Sequence, residues 1–319
     1  MENIGQWVGI DISKANLDVY LRPLGKIFQV ANKETAISGL IEELQTYSLN
    51  LIVLEATGGL ETELLIQLQA AQLPVALINP RQGRDFAKAT GKLAKTDAID
   101  AQVLAHFGEA LKPQVVAMES DLARQLKELI SRRRQVVEIQ TAEKNRRDRS
   151  RGKALTDIEQ HLEYLEQSLK KLNQEIEELT QSNQEWIDKV NLLKTIPGIG
   201  QVISTTLVSY LPELGQLTAK QISRLVGVAP INHDSGQHKG KRMINGGRAP
   251  VRASLYMGAV VAIRHNPIIK DFYERLLSRG KPKKLAITAC VRKMLVILNA
   301  MIRDQKPWQV SKDLQPNSL

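Results

Sequence analysis

The sequence predicts an α/β sheet domain followed by long helices and a mainly α-helical C-terminal part. Three observations predict it. Short apolar strands alternate with amphipathic helices near the N-terminus, a leucine repeat at helical spacing fills the middle, and helical patterns return after Thr195. At roughly 150 residues per domain, 319 residues make about two domains, each able to bury a core. With 43% hydrophobic and 24% charged residues, the composition is globular and excludes disorder.

Trp7 to Ile12 alternates, with Val8, Ile10 and Ile12 on one face and Gly9 and Asp11 on the other. Leu17 to Leu21 alternates again after the turn Ser13-Lys14-Ala15-Asn16, and Lys26 to Val30 follows Leu24-Gly25. Short turns between three strands imply an antiparallel meander. Glu34 to Tyr47 carries Ile37, Leu40, Ile41 and Leu44 at helical spacing. Leu51 to Leu54 is a continuous apolar run, as a buried parallel strand requires. Leu60 to Ala71 reads as a helix, and Val75 to Ile78 as a strand ended by Asn79-Pro80. Thr96 to Leu111 reads as a helix, with Pro113 beyond it. The order β-β-β-α-β-α-β-α is that of the ribonuclease H-like fold. Residues 1–115 are therefore one domain.

Residues 116–193 read as a coiled-coil segment. Leu155, Ile158, Leu162, Leu165, Leu169, Leu172, Ile176 and Leu179 alternate spacings of three and four, and the count continues through Asn183, Trp186, Val190 and Leu193. Asn183 is the one polar core position and is expected to fix register. Leu122 to Gln140 is helical with less regular spacing, and Gly152 separates the two. A hairpin within the chain and a coil between chains both satisfy the pattern. In residues 194–319, Pro197-Gly198-Ile199-Gly200 fits either a helix-hairpin-helix element, whose free N–H groups hold phosphate, or an ordinary turn. Pro230 to Pro250 reads as a loop, followed by helices over Val251–Arg264 and Lys284–Arg303.

The net charge is +10, from 44 basic and 34 acidic residues. It is segregated: Ser131–Lys153 holds nine Lys/Arg against three Asp/Glu, Ala154–Val190 three against nine, and His233–Lys293 fourteen against three. Such blocks fit a polyanionic partner, and arginine is the better phosphate clamp. The candidate nucleic-acid contacts are Arg132, Arg133, Arg134, Arg146, Arg147, Arg149, Lys239, Lys241, Arg242, Arg248 and Arg252. The single cysteine, Cys290, excludes internal disulfides and cysteine-rich zinc sites. The first residues do not read as a secretion signal, and the longest apolar run, Leu255–Ile263, is too short to span a bilayer. A cytoplasmic setting without a membrane is expected.

Asp11 sits in the first strand, Glu55 ends the fourth, and Asp97 and Asp100 share one helix face. In the expected topology the first and fourth strands are neighbours, the last helix packs beside them, and these four carboxylates converge at one sheet edge. Oxygen ligands suit Mg²⁺, which assists displacement at phosphorus. Singly, each has a plainer use: Asp97 and Asp100 complement a helix dipole behind Thr96, Asp11 caps a turn, and Glu55 meets solvent. Asp18, Glu61 and Glu63 serve as controls with no expected place there. In the basic loop, Ser235 could attack a phosphodiester whose charge is neutralised by nearby guanidinium groups, although Asp-Ser-Gly is also a common turn. A nuclease using activated water, an ATPase of the actin class and a non-catalytic scaffold are the rivals. The ATPase lacks its glycine-rich loop, because Ser13-Lys14-Ala15-Asn16 follows the first strand.

Together, Gly9-Ile10-Asp11-Ile12-Ser13-Lys14, Leu54-Glu55-Ala56-Thr57-Gly58-Gly59 and Lys95-Thr96-Asp97-Ala98-Ile99-Asp100-Ala101 resemble the motifs of DEDD-type bacterial insertion-sequence transposases. Pro197-Gly198-Ile199-Gly200 and the segment from Asp234-Ser235-Gly236 to Gly246-Gly247-Arg248-Ala249 resemble that family's C-terminal transposase domain. The family includes pilin-gene invertases and bridge-RNA-guided recombinases. The resemblance implies a RuvC-like N-terminal domain with Asp11, Glu55, Asp97 and Asp100 as a Mg²⁺-binding tetrad, and Ser235 as a nucleophile forming a phosphoserine link to DNA. It also implies donor and target DNA, a noncoding bridge RNA, a homodimer or tetramer, a site composed from different protomers, and a nucleoid-associated setting.

Overall fold

The computed structural model describes residues 4–309 except 93, 95, 233, 236, 237 and 241, and only the backbone of 238 and 239. Two compact units result, one ending at Glu119 and the next beginning at Ser120.

In the first unit, alternation builds a mixed five-stranded sheet from β1 (Gln6–Ile12), β2 (Asn16–Arg22), β3 (Lys26–Ala31), β4 (Leu49–Glu55) and β5 (Val75–Ile78). Its order is β3-β2-β1-β4-β5; the meander is antiparallel, and β4 joins β1 in parallel as expected. The helices are α1 (Glu34–Gln45), α2 (Thr62–Ala70), α3 (Pro80–Ala89) and α4 (Asp97–Leu111). Val8, Ile10, Leu17, Val19, Leu21, Ile52 and Leu54 pack against Ile37, Leu40 and Leu44 of α1 and Leu64 and Leu68 of α2. The opposite face, with Leu51, Val53, Ala76 and Ile78, packs against Leu104 and Phe107 of α4 and Phe86 of α3. The run Leu51 to Leu54 is apolar throughout because β4 is covered on both faces.

Helix α3 is a departure from the expected order. It begins with a capping box: the Asn79 side chain accepts from Arg81 N at 2.9 Å, and Gln82 Oε1 accepts from Asn79 N at 3.2 Å. Pro80 stands in its first turn.

The second unit opens with α5 (Asp121–Arg147) and α6 (Lys153–Gln181), joined through Gly152 at φ 59°. They pair antiparallel within the chain: Leu126 and Ile130 cluster with Ile176, and Val136 with Leu165 and Leu172. The heptad count does not run on through Asn183. A new helix, α7 (Gln184–Lys194), starts there, and the Asn183 side chain caps it by accepting from Trp186 N at 3.2 Å. Asn183 therefore ends one helix pattern and begins another, and does not fix register.

The remaining helices are α8 (Gln201–Tyr210), α9 (Ala219–Val226), α10 (Ala249–His265), α11 (Pro267–Ser278) and α12 (Lys283–Asp304). The sequence reading omits α11, which follows directly on α10. Within the segment read as a loop, β6 (Asp234–Ser235) pairs with β7 (His238–Lys239), and Ile231 bridges Met243. The turn after α7 packs closely, for a Cβ on Gly198 would lie 2.6 Å from the carbonyl oxygen of Gly258. By length and composition α12 could cross a membrane; half its apolar window is buried instead, with Cys290, Met294 and Leu298 fully inside the helical core.

Candidate active site

Register places Asp11 and Glu55 side by side. Ile10 of β1 pairs with Leu54 of β4 in parallel, so the next residues, Asp11 and Glu55, occupy adjacent strand ends. Both belong to the face covered by α3 and α4. The first turn of α4 carries Asp97 and Asp100 behind Thr96, whose side chain accepts from Ile99 N at 3.3 Å. Thus the capping use foreseen for that turn is real, and it coexists with proximity to Asp11.

That proximity has an electrostatic consequence. Burial pushes the Asp11 carboxyl up to about 6, and the charges of Asp100, Asp97 and Asp18 push the same way against a hydrogen bond from the Ile12 backbone. In the unfolded chain the group returns to its ordinary value of 3.8. The folded form therefore binds the proton better, so this contribution to stability is full below pH 3.8 and is lost as pH rises through about 6. In metal-free protein, Asp11→Asn should raise Tm at pH 8 and give no gain at pH 4. A thermal scan at both pH values in chelator checks this; an equal gain at both would assign the effect to packing.

The four carboxylates do not close into one ligand set. Among the described residues, no three Asp, Glu, His or Cys side chains are grouped so as to hold a metal ion. Glu55 is turned towards α3, where its Oε1 lies against Gly83 in space that a Cβ would fill. Phe86 secures α3 by edge contacts to His106 at 5.1 Å and Phe107 at 5.3 Å. The sequence reading missed this support for Glu55, together with the exposed cations Arg81, Arg84 and Lys88 on α3. The donor set is nonetheless all carboxylate oxygen, which suits a hard divalent cation.

Two of the controls separate. Glu61 is structural: its Oε2 accepts from Thr57 N, Thr57 Oγ1 and Gly59 N, which shapes the turn after Glu55. Asp18, a control that nothing in the sequence places at the site, is the cross-strand partner of Asp11.

In the second unit, Ser235 is exposed on β6. Lys241 and the side chain of Lys239 lie outside the described residues, as does His233. Arg242 is exposed, as are Arg132, Arg134, Arg146, Arg147 and Arg149 on α5 and its turn. Other arginines have internal uses. Arg133 is half-buried and donates to Asn173 Oδ1 at 2.6 Å, with burial lowering its pKa. Arg252 donates to the carbonyls of Val226 and Gly246 at 3.1 and 2.5 Å.

Arg248 grips Glu213 with two nitrogens at 2.5 Å each and also donates to the Tyr210 carbonyl at 2.9 Å. Burial opposes the charge on Glu213, but the Arg248 hydrogen bonds and its own backbone bond, with the Arg248 and Lys127 charges, hold its carboxyl below the usual range. Because Arg248 ends the serine loop, this pair fixes one end of it. A double-mutant cycle on Arg248→Lys and Glu213→Gln should give a coupling of about 1 kcal/mol, since a lysine cannot reproduce the fork. A coupling near zero would remove the pair from the loop's support.

Residues 8–150 match a family model described as a transposase, of the DEDD type of IS110 elements, and residues 190–274 match one described as the transposase IS116/IS110/IS902 family. The chain is similar to the pilin gene-inverting protein of Moraxella bovis, at 28% identity over 315 residues, which covers 95% of this chain and 97% of that protein. The pilin gene-inverting protein of Moraxella lacunata matches over the same shares, also at 28% identity. The uncharacterized 42 kDa protein of insertion element IS900 from Mycobacterium paratuberculosis is 31% identical over 120 residues, covering 35% of this chain and 29% of that protein. The chain belongs to the IS110 family of insertion-element transposases.

Proposed function

We propose that this transposase cuts and rejoins DNA through Ser235, assisted by Mg²⁺ at Asp11, Glu55, Asp97 and Asp100 and directed by a noncoding bridge RNA. The observation that carries the reading is the pairing of Asp11 and Glu55 on neighbouring strand ends, with Asp97 and Asp100 inside the electrostatic field of Asp11. The sheet order, three antiparallel strands extended by two parallel ones, supports a RuvC-like, ribonuclease H-like domain over 1–115. Residues 116–193 serve as a coiled-coil connection, and 194–319 as the serine-bearing domain with its helix-hairpin-helix-like turn.

When bound, Mg²⁺ would neutralise charge that develops on the attacked phosphate. Ser235 Oγ forms a bond to phosphorus while one deoxyribose oxygen leaves, giving a protein–DNA ester and a free DNA hydroxyl; reversal onto another strand rejoins the backbone. Arg242, Lys239 and Lys241 neutralise phosphate beside Ser235, while Arg132, Arg134, Arg146, Arg147 and Arg149 track nucleic-acid backbone. Arg133, Arg248 and Arg252 act through the supports described above. The working form is a homodimer or tetramer in the bacterial cytoplasm, associated with the nucleoid, whose tetrad and serine come from different protomers.

The test is to incubate the protein with element-end DNA and Mg²⁺, trap covalent adducts, and sequence the RNA that co-purifies. The expected results are an adduct lost in chelator and one discrete RNA matching the element's flank. Cut DNA without adduct would transfer the reading to a nuclease that activates water, and random nucleic-acid fragments would remove the guide.

A further inference from the structure

We propose that Asp18 is a fifth acid of the cation site, offering its Oδ2 to the hydration shell of the divalent ion. The inference rests on the metal reading of the preceding section and deepens it. It begins with register. Asp18 is the cross-strand partner of Asp11 in the antiparallel β1–β2 pair, and directly opposed residues project from the same face. The pairs before it on that face, Gly9 with Tyr20 and Trp7 with Arg22, run beneath α4, where Arg22 Nε donates to Glu109 at 2.5 Å. Asp18 therefore lies under the end of α4 that carries Asp97 and Asp100.

Its bonding is half complete. Asp18 is only 8% exposed, and its Oδ1 accepts from Gln29 Nε2 at 2.9 Å. Its Oδ2 is buried and has no hydrogen-bond partner among the described residues. A buried carboxylate oxygen without a donor is costly, and here three further acids share the neighbourhood. If Asp18 served only to tie β2 to β3 through Gln29, an asparagine would do so without adding a charge. A carboxylate is the chemically apt residue where a cation is shared, and partners one step beyond the direct ligands tune affinity.

The test measures Mn²⁺ uptake by the full chain, reading free ion by electron paramagnetic resonance, in wild type, Asp18→Asn and Asp11→Asn. The expected result is an affinity about tenfold weaker in Asp18→Asn, with a Tm in chelator no lower than wild type. Uptake by Asp18→Asn equal to or tighter than wild type would overturn the assignment while leaving the site at Asp11. Wild type that takes up no Mn²⁺ would overturn both this inference and the metal reading. Should Asp18→Asn fail to fold, anomalous scattering from Mn²⁺-soaked wild-type crystals decides. An ion within about 5 Å of Asp18 Oδ2, one hydration layer away, supports the proposal, and a more distant one ends it.

Discussion

With Ser235 replaced by alanine, the protein is expected to bind element-end DNA as wild type does, form no covalent adduct, and lose recombination by on the order of 10⁴-fold or more. The physical basis is the small structural stake of the hydroxyl. Ser235 lies exposed on β6, opposite His238 in a two-residue ladder. The loop is held elsewhere, by the Ile231–Met243 bridge, by Arg248 N donating to the Leu225 carbonyl, and by the Arg248–Glu213 pair. Removing one exposed oxygen should leave Tm unchanged, so lost activity would report chemistry and not folding. Asp11→Ala is expected to remove cleavage as well, by taking one carboxylate from the strand-end pair. The two variants together separate mechanisms: a nuclease that activates water would lose cutting with Asp11→Ala and keep it with Ser235→Ala. Cleavage gels and adduct capture on the same DNA read both outcomes, and a Ser235→Ala protein that still forms adduct would exclude this serine.

Alternation and apolar runs make the strands legible, because burial writes a period of two into a strand with one apolar face and a solid run into one with two; the adjacency of β1 and β4 follows from the order of the elements. Two helices were hidden for a shared reason. Asn79-Pro80 and Asn266-Pro267 both look like stop signals, yet each starts a helix, with the asparagine side chain accepting first-turn N–H groups. Helix α3 has no apolar stripe to betray it; Gly83 is its one buried residue, and that burial is set against Glu55. Asp18 escaped because its place depends on which residues face each other across the turn at residues 13–15. A shift of one position would have sent it to the other face. Asn183 shows the reverse limit: heptad counting carries smoothly across a cap that only backbone geometry reveals.

Substituting Gly9 by alanine is expected to be the most damaging small change in the first unit. A Cβ at Gly9 would fall on the Ala101 carbonyl oxygen and the Ala105 nitrogen of α4, with the Leu104 Cβ 2.8 Å away. Backbone cannot swing aside as a side-chain tip can, so the helix must lift or the strand must bend. Overpacking of this kind costs about 3 kcal/mol, which lowers Tm by roughly 10 °C in a unit of this size. The effect should not stop at stability. Gly9 shares its face with Asp11 two residues on, and the helix it supports carries Asp97 and Asp100 in its first turn. Lifting α4 opens Asp11 to water and moves two acids away from it, so the burial and the charges that now raise its carboxyl should both weaken and its titration should fall towards 3.8. Thermal unfolding and carboxyl titration by NMR on Gly9→Ala measure the two effects. A stable variant whose Asp11 still titrates near 6 would show that α4 does not depend on the missing side chain for its seat on β1.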